Sequence, residues 1–182
     1  MRSISRIIVV VVTLCCCVGC DQVSKSAARA MLVSGVTESL FADSLRLQLV
    51  QNPGSFLSLG ASLPAHLRFT LFTAVAAVLL AGLVYASLFA RRLGPARFIA
   101  LGLVAGGGIS NLIDRLVYDG RVTDFLNIGI GSFRTGIFNL ADMAILGGAV
   151  LLILRRHAPP PAAPRPSAPP PSASTPSAPT RT

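Results

Sequence analysis

Long apolar runs dominate the chain and predict helices that cross a lipid bilayer. A transmembrane helix needs about 20 mainly apolar residues, because the hydrocarbon core is about 30 Å thick. Four stretches meet or nearly meet this requirement, and they predict spans at residues 4–19, 67–90, 96–117 and 137–154. The pattern therefore indicates an all-α membrane protein built as a bundle of four transmembrane helices.

Two longer connections between the spans contain a different pattern. Residues 45–51 alternate between apolar and polar side chains, which is typical of a half-buried strand. Asn52, Pro53 and Gly54 follow with the residue types of a turn. Residues 121–128 and 132–137 are also compatible with strands. We therefore expect a small sheet formed by both connections, outside the membrane.

Composition and charge placement support a membrane protein and give its orientation. Hydrophobic residues make up 52% of the chain and charged residues only 13%, too few to cover a surface that faces water. Basic residues concentrate before the first span, between the second and third, and after the fourth: Arg2, Arg6, Arg91, Arg92, Arg97, Arg155 and Arg156. The positive-inside rule then predicts cytoplasmic termini and external long connections. Membrane orientation, rather than nucleic-acid binding, explains the net charge of +9.

The last segment of the chain has no pattern that could support a core. Residues 158–182 are almost wholly Pro, Ala, Ser and Thr. Such a composition predicts a disordered cytoplasmic tail. The expected organisation is one integral membrane domain at residues 1–157 followed by this tail.

The cysteines and histidines indicate neither a disulfide framework nor a metal site. Cys15, Cys16, Cys17 and Cys20 all lie in the first apolar run, and the two histidines are isolated from each other. We expect the cysteines to act as small packing residues. An alternative is that the first span is a signal peptide, since residues 18–20 resemble a weak lipobox ending at Cys20. The three further spans argue against a simple lipoprotein.

Polar side chains gather at the predicted outer ends of the spans. Charged groups near a bilayer cost several kcal/mol unless they are paired or hydrated, so they mark function by default. The residues concerned are Asp21, Lys25, Asn111, Asp114, Arg115, Asp124, Asn139 and Asp142. Taken singly, most have a structural explanation, such as an ion pair or a helix cap. Asp142 is the hardest to explain in this way, because apolar residues surround it.

Two aspartates at one membrane depth suggest acid–base chemistry. When two carboxyl groups share a site of low dielectric, one keeps its proton and the other stays charged. The charged carboxylate can activate a water, and the protonated one can bind the carbonyl of an amide. The sequence thus favours peptide hydrolysis by a pair of aspartates without a metal or cofactor. A small transporter is the alternative, but it needs acids spread through the bilayer rather than gathered at one boundary.

Five segments, in order, resemble the lipoprotein signal peptidases (signal peptidase II). They are residues 21–25, 52–56, 106–115, 122–125 and 138–142, and the resemblance extends over about residues 4–155. It implies a four-helix membrane bundle with a small extracytoplasmic β-cradle. Two positions depart from the common pattern: Ser55 replaces alanine and Ser110 replaces glycine. With this resemblance, the lipobox-like stretch at Cys20 is coincidental.

The resemblance also implies an activity and a site. Members are aspartic endopeptidases of the bacterial inner membrane that cut prolipoproteins before the lipid-modified cysteine, and globomycin inhibits them. Asp124 and Asp142 would be the catalytic pair. Substrate-binding or supporting roles would fall to Asp21, Lys25, Asn52, Gly54, Gly107, Asn111, Arg115 and Asn139. The expected partners are lipid-modified prolipoproteins and membrane lipid, and the protein is expected to act as a monomer.

Overall fold

Four helices and one sheet make up the part of the fold that the structure describes. The computed structural model describes residues 3–53, 64–89 and 93–156; Gly54 and the proline-rich tail lie outside them. The helices are α1 (Ser3–Met31), α2 (Ala65–Phe89), α3 (Pro95–Val117) and α4 (Leu140–Arg156). The strands are β1 (Thr37–Leu40), β2 (Leu45–Asn52), β3 (Val122–Ile130) and β4 (Phe133–Arg134).

Two of the helices are long and apolar enough to cross a membrane. These segments are Ile7–Met31 and Pro95–Val117, and α2 and α4 contribute shorter apolar segments, Thr73–Tyr85 and Leu140–Leu154. The four-span arrangement therefore stays a prediction. α1 continues well past the predicted end at residue 19, to Met31. In this extension the side chains of Asp21, Gln22 and Lys25 find polar partners on α3, which lets charged residues continue the helix in the interior.

The predicted sheet is present and joins both long connections. Its strands run in the order β1-β2-β3-β4, and each neighbouring pair is antiparallel. The sheet makes the class a mixture of α and β rather than all-α. β1 was not expected, because its sequence Thr-Glu-Ser-Leu lacks an apolar alternation and all four residues are exposed.

Three consecutive glycines in α3 let the other helices approach it closely. A Cβ on Gly106 would lie 2.7 Å from the Cβ of Cys17 in α1. A Cβ on Gly107 would collide with the carbonyl oxygen of Ala141 in α4, and one on Gly108 with the side chain of Leu80 in α2. Each glycine thus faces a different helix, which fits packing of small residues between membrane helices.

The most deeply buried side chains are polar. The largest fully buried ones are Lys25, Phe98, Val10, Asn139, Thr123, Asp21, Asp114 and Ser110, of which only Phe98 and Val10 are apolar. Many large apolar side chains are exposed instead, such as Ile8, Leu79 and Leu146. This distribution suits a molecule whose helices face lipid and whose interior holds a polar site.

Candidate active site

Asp124 and Asp142 come from different elements and meet through Asn139. Asp124 lies in β3 and is buried, whereas Asp142 lies in the first turn of α4 and is partly exposed. Nδ2 of Asn139 donates to Oδ1 of Asp124 at 2.6 Å. The backbone N–H of Asn139 donates to Oδ2 of Asp142 at 3.2 Å, and the backbone N–H of Asp142 donates to Oδ1 of Asn139 at 3.0 Å. Asn139 therefore caps α4 and links both carboxyl groups.

Asn111 in α3 forms a second link to Asp142, and Lys25 fixes its orientation. Nδ2 of Asn111 donates to Oδ1 of Asp142 at 2.9 Å. Oδ1 of Asn111 accepts from Nζ of Lys25 at 2.8 Å and from Nδ2 of Asn139 at 3.2 Å. An ammonium group can only donate, so the amide oxygen must face Lys25 and the amide NH₂ must face Asp142.

Lys25 lies in a buried cluster that also contains Asp21 and Asp114. Its ammonium is 2.7 Å from Oδ2 of Asp21 and 3.2 Å from Oδ2 of Asp114, and all three side chains are at most 1% exposed. Oδ1 of Asp21 accepts from the backbone N–H of Ala141 at 2.8 Å. The cluster therefore ties α1 and α3 to the start of α4, immediately before Asp142.

Several supporting residues were not among the predicted site residues. Asp114 was placed among the polar residues at the span ends but was given no role in the site, yet its Oδ2 accepts from the backbone N–H of Thr123 at 2.9 Å. This bond fixes the strand residue next to Asp124. Gln22 donates to Oδ1 of Asp114 at 2.8 Å. The sequence signals for these contacts were the concentration of polar residues at this depth and the family segments 21–25 and 106–115, in which Gln22 and Asp114 lie.

Ser110, one of the two departures from the common family pattern, belongs to the same network. Its hydroxyl donates to Oδ2 of Asp21 at 2.7 Å and accepts from Nε2 of Gln22 at 3.0 Å. Ser110 is fully buried. The hydroxyl thus satisfies two polar partners, which explains how a serine is accommodated here.

The remaining predicted residues occupy different positions around the two aspartates. Nδ2 of Asn52 donates to Oδ2 of Asp124 at 2.8 Å. Nη1 of Arg115 donates weakly to the carbonyl oxygen of Asn111 at 3.3 Å, and its buried Nε has no hydrogen-bond partner within the described part of the chain. Gly107 packs against Ala141, so its position serves the contact between α3 and α4. Gly54 lies outside the described residues.

The surroundings of Asp124 favour its neutral form more than water does. Burial is the largest cause and raises the pKa of Asp124 to about 6, with a further increase from the charge of Asp142. Hydrogen bonds from Asn52 and Asn139 and the charge of Lys25 act in the opposite direction. A carboxyl group with such a pKa can hold or release a proton near neutral pH, as acid–base catalysis requires.

The acidic residues are not arranged as a metal site. Within residues 3–53, 64–89 and 93–156, no group of three or more His, Cys, Asp or Glu side chains could hold a metal ion. The buried carboxylates Asp21 and Asp114 instead share the ammonium group of Lys25.

Comparisons with known proteins identify the family of the chain. The sequence profile of the family described as signal peptidase (SPase) II matches residues 12–157. The lipoprotein signal peptidase of Paraburkholderia phytofirmans is 40% identical over 135 residues, which cover 74% of this chain and 76% of that protein. The lipoprotein signal peptidase of Pelotomaculum thermopropionicum is 38% identical over 132 residues, which cover 72% of this chain and 80% of that protein.

Solved structures show the same fold. A bacterial membrane enzyme determined by the in meso method at 1.9 Å resolution superposes with a TM-score of 0.69 and 25% identity, covering 84% of this chain and 92% of its own. A second such structure, at 2.3 Å resolution, has a TM-score of 0.67 and 26% identity, covering 84% of this chain and 87% of its own. The chain therefore belongs to the signal peptidase II family and is an aspartic-type endopeptidase.

Proposed function

We propose that this peptidase removes signal peptides from lipid-modified prolipoproteins by cutting before the modified cysteine, with Asp124 and Asp142 as its catalytic pair. Family membership supports the substrate class. The observation that carries the assignment of the pair is that Asn139 binds both aspartates at once. Its side-chain amide holds the carboxyl of Asp124 and its backbone N–H holds that of Asp142, so one residue keeps two carboxyl groups from separate elements in a fixed relation.

The unequal environments of the two aspartates suggest a division of labour. Asp124 is the more buried and its pKa is raised to about 6, so we assign it the proton in the singly protonated form of the pair, which is the reactive form and becomes less populated above pH 6. Asp142 would act as the general base. It takes a proton from a water molecule, and the resulting hydroxide attacks the carbonyl carbon of the scissile amide. Asp124 donates a hydrogen bond to the carbonyl oxygen, and the proton held by Asp142 then passes to the leaving amine.

The neighbouring polar residues would act as positioning groups. Asn111 and Asn139 orient Asp142, and Lys25 fixes the amide of Asn111. Asn52 orients Asp124 from the opposite side to Asn139. Arg115 is partly exposed, and its guanidinium interacts electrostatically with both aspartates. We assign Arg115 to binding of a carbonyl oxygen of the substrate backbone.

The proposed setting is the inner membrane of a bacterium. In this arrangement all four helices span the bilayer, both termini are cytoplasmic, and the aspartates lie at the outer boundary. The chain would act as a monomer, without a cofactor, on substrates that reach it through membrane lipid. What supports this topology is the placement of arginines at three span ends.

Cleavage of a diacylglyceryl-modified prolipoprotein in detergent tests the assignment. We expect Asp142→Asn and Asp124→Asn each to lower the cleavage rate by at least about 10³-fold, because each removes a group that transfers or holds a proton. Asp43→Asn is the matched control, since Asp43 is a partly exposed aspartate in the turn between β1 and β2, remote from the two catalytic candidates. Globomycin should inhibit the wild-type enzyme.

A retained rate in either dyad variant would contradict the mechanism. Thermal unfolding of each variant in the same detergent separates lost chemistry from lost folding. If folded wild-type protein leaves a diacylglyceryl prolipoprotein uncut but cuts another membrane peptide, the substrate class is wrong while the pair stands.

A further inference from the structure

Two turns meet at the end of the sheet that lies farthest from Asp124. One joins β1 to β2 and the other joins β3 to β4. Leu45, next to the first turn, pairs with Ile128, whereas Asn52 at the other end of β2 pairs with Val122. The six residues from Asp124 to Ile130 span about 20 Å of extended strand. These turns are therefore remote from the two aspartates.

Large apolar side chains are exposed at this end. Phe41 is 77% exposed, Ile130 is 83% exposed and Phe133 is 90% exposed. Leu40 and Ile128 are also exposed. We call these five residues the hairpin patch. An exposed apolar surface of this kind in a folded protein marks an interaction site.

The strand register places most of this patch on one face of the sheet. Ile130 pairs with Phe133, and Leu40 and Ile128 both pair with Leu45. Residues that pair across antiparallel strands share a face, and every second residue of a strand points the same way. Ile128 and Ile130 thus share the face of Asp124. Glu38 lies on this face too, two residues farther from the turn than Leu40.

The opposite face of the sheet is polar, and hydrogen bonds made by its side chains connect the two turns. Ser39 pairs with Arg46, and Arg46 pairs with Asn127. Nη1 of Arg134 donates to the carbonyl oxygen of Asp43 at 2.7 Å, and Nε of Arg134 donates to Oδ1 of Asn127 at 2.6 Å. The sheet end is therefore amphipathic, with an apolar surface on one side and an ionic network on the other.

The first turn holds an unfavourable backbone that presents Phe41. Phe41, Ala42 and Asp43 have φ values of 52°, 53° and 65°, a region that residues other than glycine rarely adopt. Hydrogen bonds to Asp43 from Ser39 and Arg46 hold this conformation. A strained turn that keeps an aromatic ring exposed points to a function for that ring.

The patch is joined along the chain to a helix of membrane-spanning length. Exposed apolar residues recur from the end of α1 through the connection to β1, at Met31, Val33 and Val36, and then at Leu40. The chain that leaves this helix thus carries exposed apolar side chains as far as the patch. We propose that the hairpin patch inserts into the bilayer leaflet on the active-site side and seats the sheet on the membrane. This inference rests on membrane embedding and is independent of the roles given to Asp124 and Asp142.

Tryptophan fluorescence tests the insertion directly, because the chain contains no tryptophan. Phe133→Trp places a single fluorophore in the patch of the full-length protein, which is then reconstituted in phosphatidylcholine vesicles with or without bromine on the acyl chains. Leu146→Trp, at an exposed position of α4, serves as the lipid-facing reference. Thr37→Trp, at an exposed position of the polar face, serves as the water-facing reference.

We expect brominated lipid to reduce the emission of the Phe133→Trp variant by at least about twofold relative to that of Thr37→Trp, and the Phe133→Trp emission to be shifted to the blue. Ile130→Trp should behave in the same way and provides a second variant. Quenching of Phe133→Trp no greater than that of Thr37→Trp would overturn the proposal. A blue shift of the Phe133→Trp emission that appears only at a high protein-to-lipid ratio would also overturn the proposal and assign the patch to a second copy of the chain. A blue shift that appears only when substrate is added would overturn it too and assign the patch to the substrate.

Discussion

Two ionic clusters in this protein have similar distances and very different surroundings. Lys25 lies 2.7 and 3.2 Å from the carboxylates of Asp21 and Asp114, and all three side chains are at most 1% exposed. Asp43 lies 2.7 and 3.4 Å from the guanidinium groups of Arg46 and Arg134, with exposures of 39%, 37% and 11%. Distance therefore does not distinguish the two clusters, but burial does.

The difference lies in what each cluster holds in place. The buried carboxylates use their other contacts for the backbone N–H groups of Ala141 and Thr123, the neighbours of Asp142 and Asp124. The exposed cluster holds two turns of the sheet. Hydrogen bonding from Arg46 is the main cause that lowers the pKa of Asp43, whereas burial raises that of Asp124. The same side chain thus stays charged in one region and can exchange a proton in the other.

Removing the central cation should have the largest effect. Lys25→Met leaves two buried carboxylates without their counterion, and we expect a loss of about 3–5 kcal/mol of unfolding free energy together with the loss of cleavage. Arg46→Met is the matched control in the exposed cluster, where water screens the remaining charge and the unfolding midpoint should change little. Thermal unfolding in detergent measures both. Equal shifts for the two variants would remove the distinction between the clusters.

Moving α4 away from α3 should separate the aspartates without touching a charge. Gly107→Ala drives a methyl group into the carbonyl oxygen of Ala141, so we expect a loss of about 1–3 kcal/mol and slower cleavage. Gly147→Ala in α4 is the control, since nothing lies within 4 Å of its added Cβ. A wild-type cleavage rate in Gly107→Ala would mean that the aspartates tolerate a wider helix spacing than we infer.

Local patterns in the sequence predicted the main elements of the fold. Apolar runs indicated the regions of all four helices, and the alternation in residues 45–51 indicated β2, because hydropathy and strand periodicity are properties of neighbouring residues. β1 was missed because its four exposed residues carry no such signal. Helix α1 was predicted too short, because the partners of Asp21 and Lys25 lie about 90 residues away in the chain.

The sequence predicted which residues belong to the site, but not the contacts between them. Polar residues near span ends indicated which segments meet, and the resemblance to the family supplied individual residues. The specific contacts depend on how α1, α3 and β3 pack against one another. Asp114 illustrates the limit, because beside Arg115 in the sequence it resembles a surface ion pair, yet it binds Lys25 and the backbone of Thr123.

A pH dependence of stability should distinguish Asp124 from the exposed acids. Its folded pKa of about 6 exceeds the ordinary value of 3.8, so the stability that the protonated group contributes is present below about pH 4 and is lost as the pH rises through 6. Above this pH, the folded protein holds a charged carboxylate in a buried site, which costs stability, and Asp124→Asn removes that cost. We expect the variant to be about 2 kcal/mol more stable than wild type at pH 7.5, after allowance for the second hydrogen bond that an amide cannot accept.

That advantage should disappear as the pH falls to 4, when the wild-type carboxyl is protonated in the folded state and largely so in the unfolded one. Unfolding midpoints measured from pH 4 to pH 8 check the difference between the two proteins. A difference that is constant over this range would show that the pKa of Asp124 is not raised. Asp43→Asn should give no such advantage at neutral pH, because its pKa is lowered in the fold.

Among the substitutions in the buried cluster, Ser110→Ala should have the smallest measurable effect. The substitution removes a hydroxyl that donates to Asp21 and accepts from Gln22, but Asp21 keeps Lys25, and Gln22 keeps Asp114. Because most of the partners remain, we expect a loss of about 1 kcal/mol in unfolding free energy and a modest decrease in cleavage rate. A double-mutant cycle with Gln22→Leu measures the coupling, which should be clearly different from zero for side chains in direct contact. Independent effects of the two substitutions would mean that Ser110 only fills space, and the network that orients Asp142 would then end at Asp21 and Lys25.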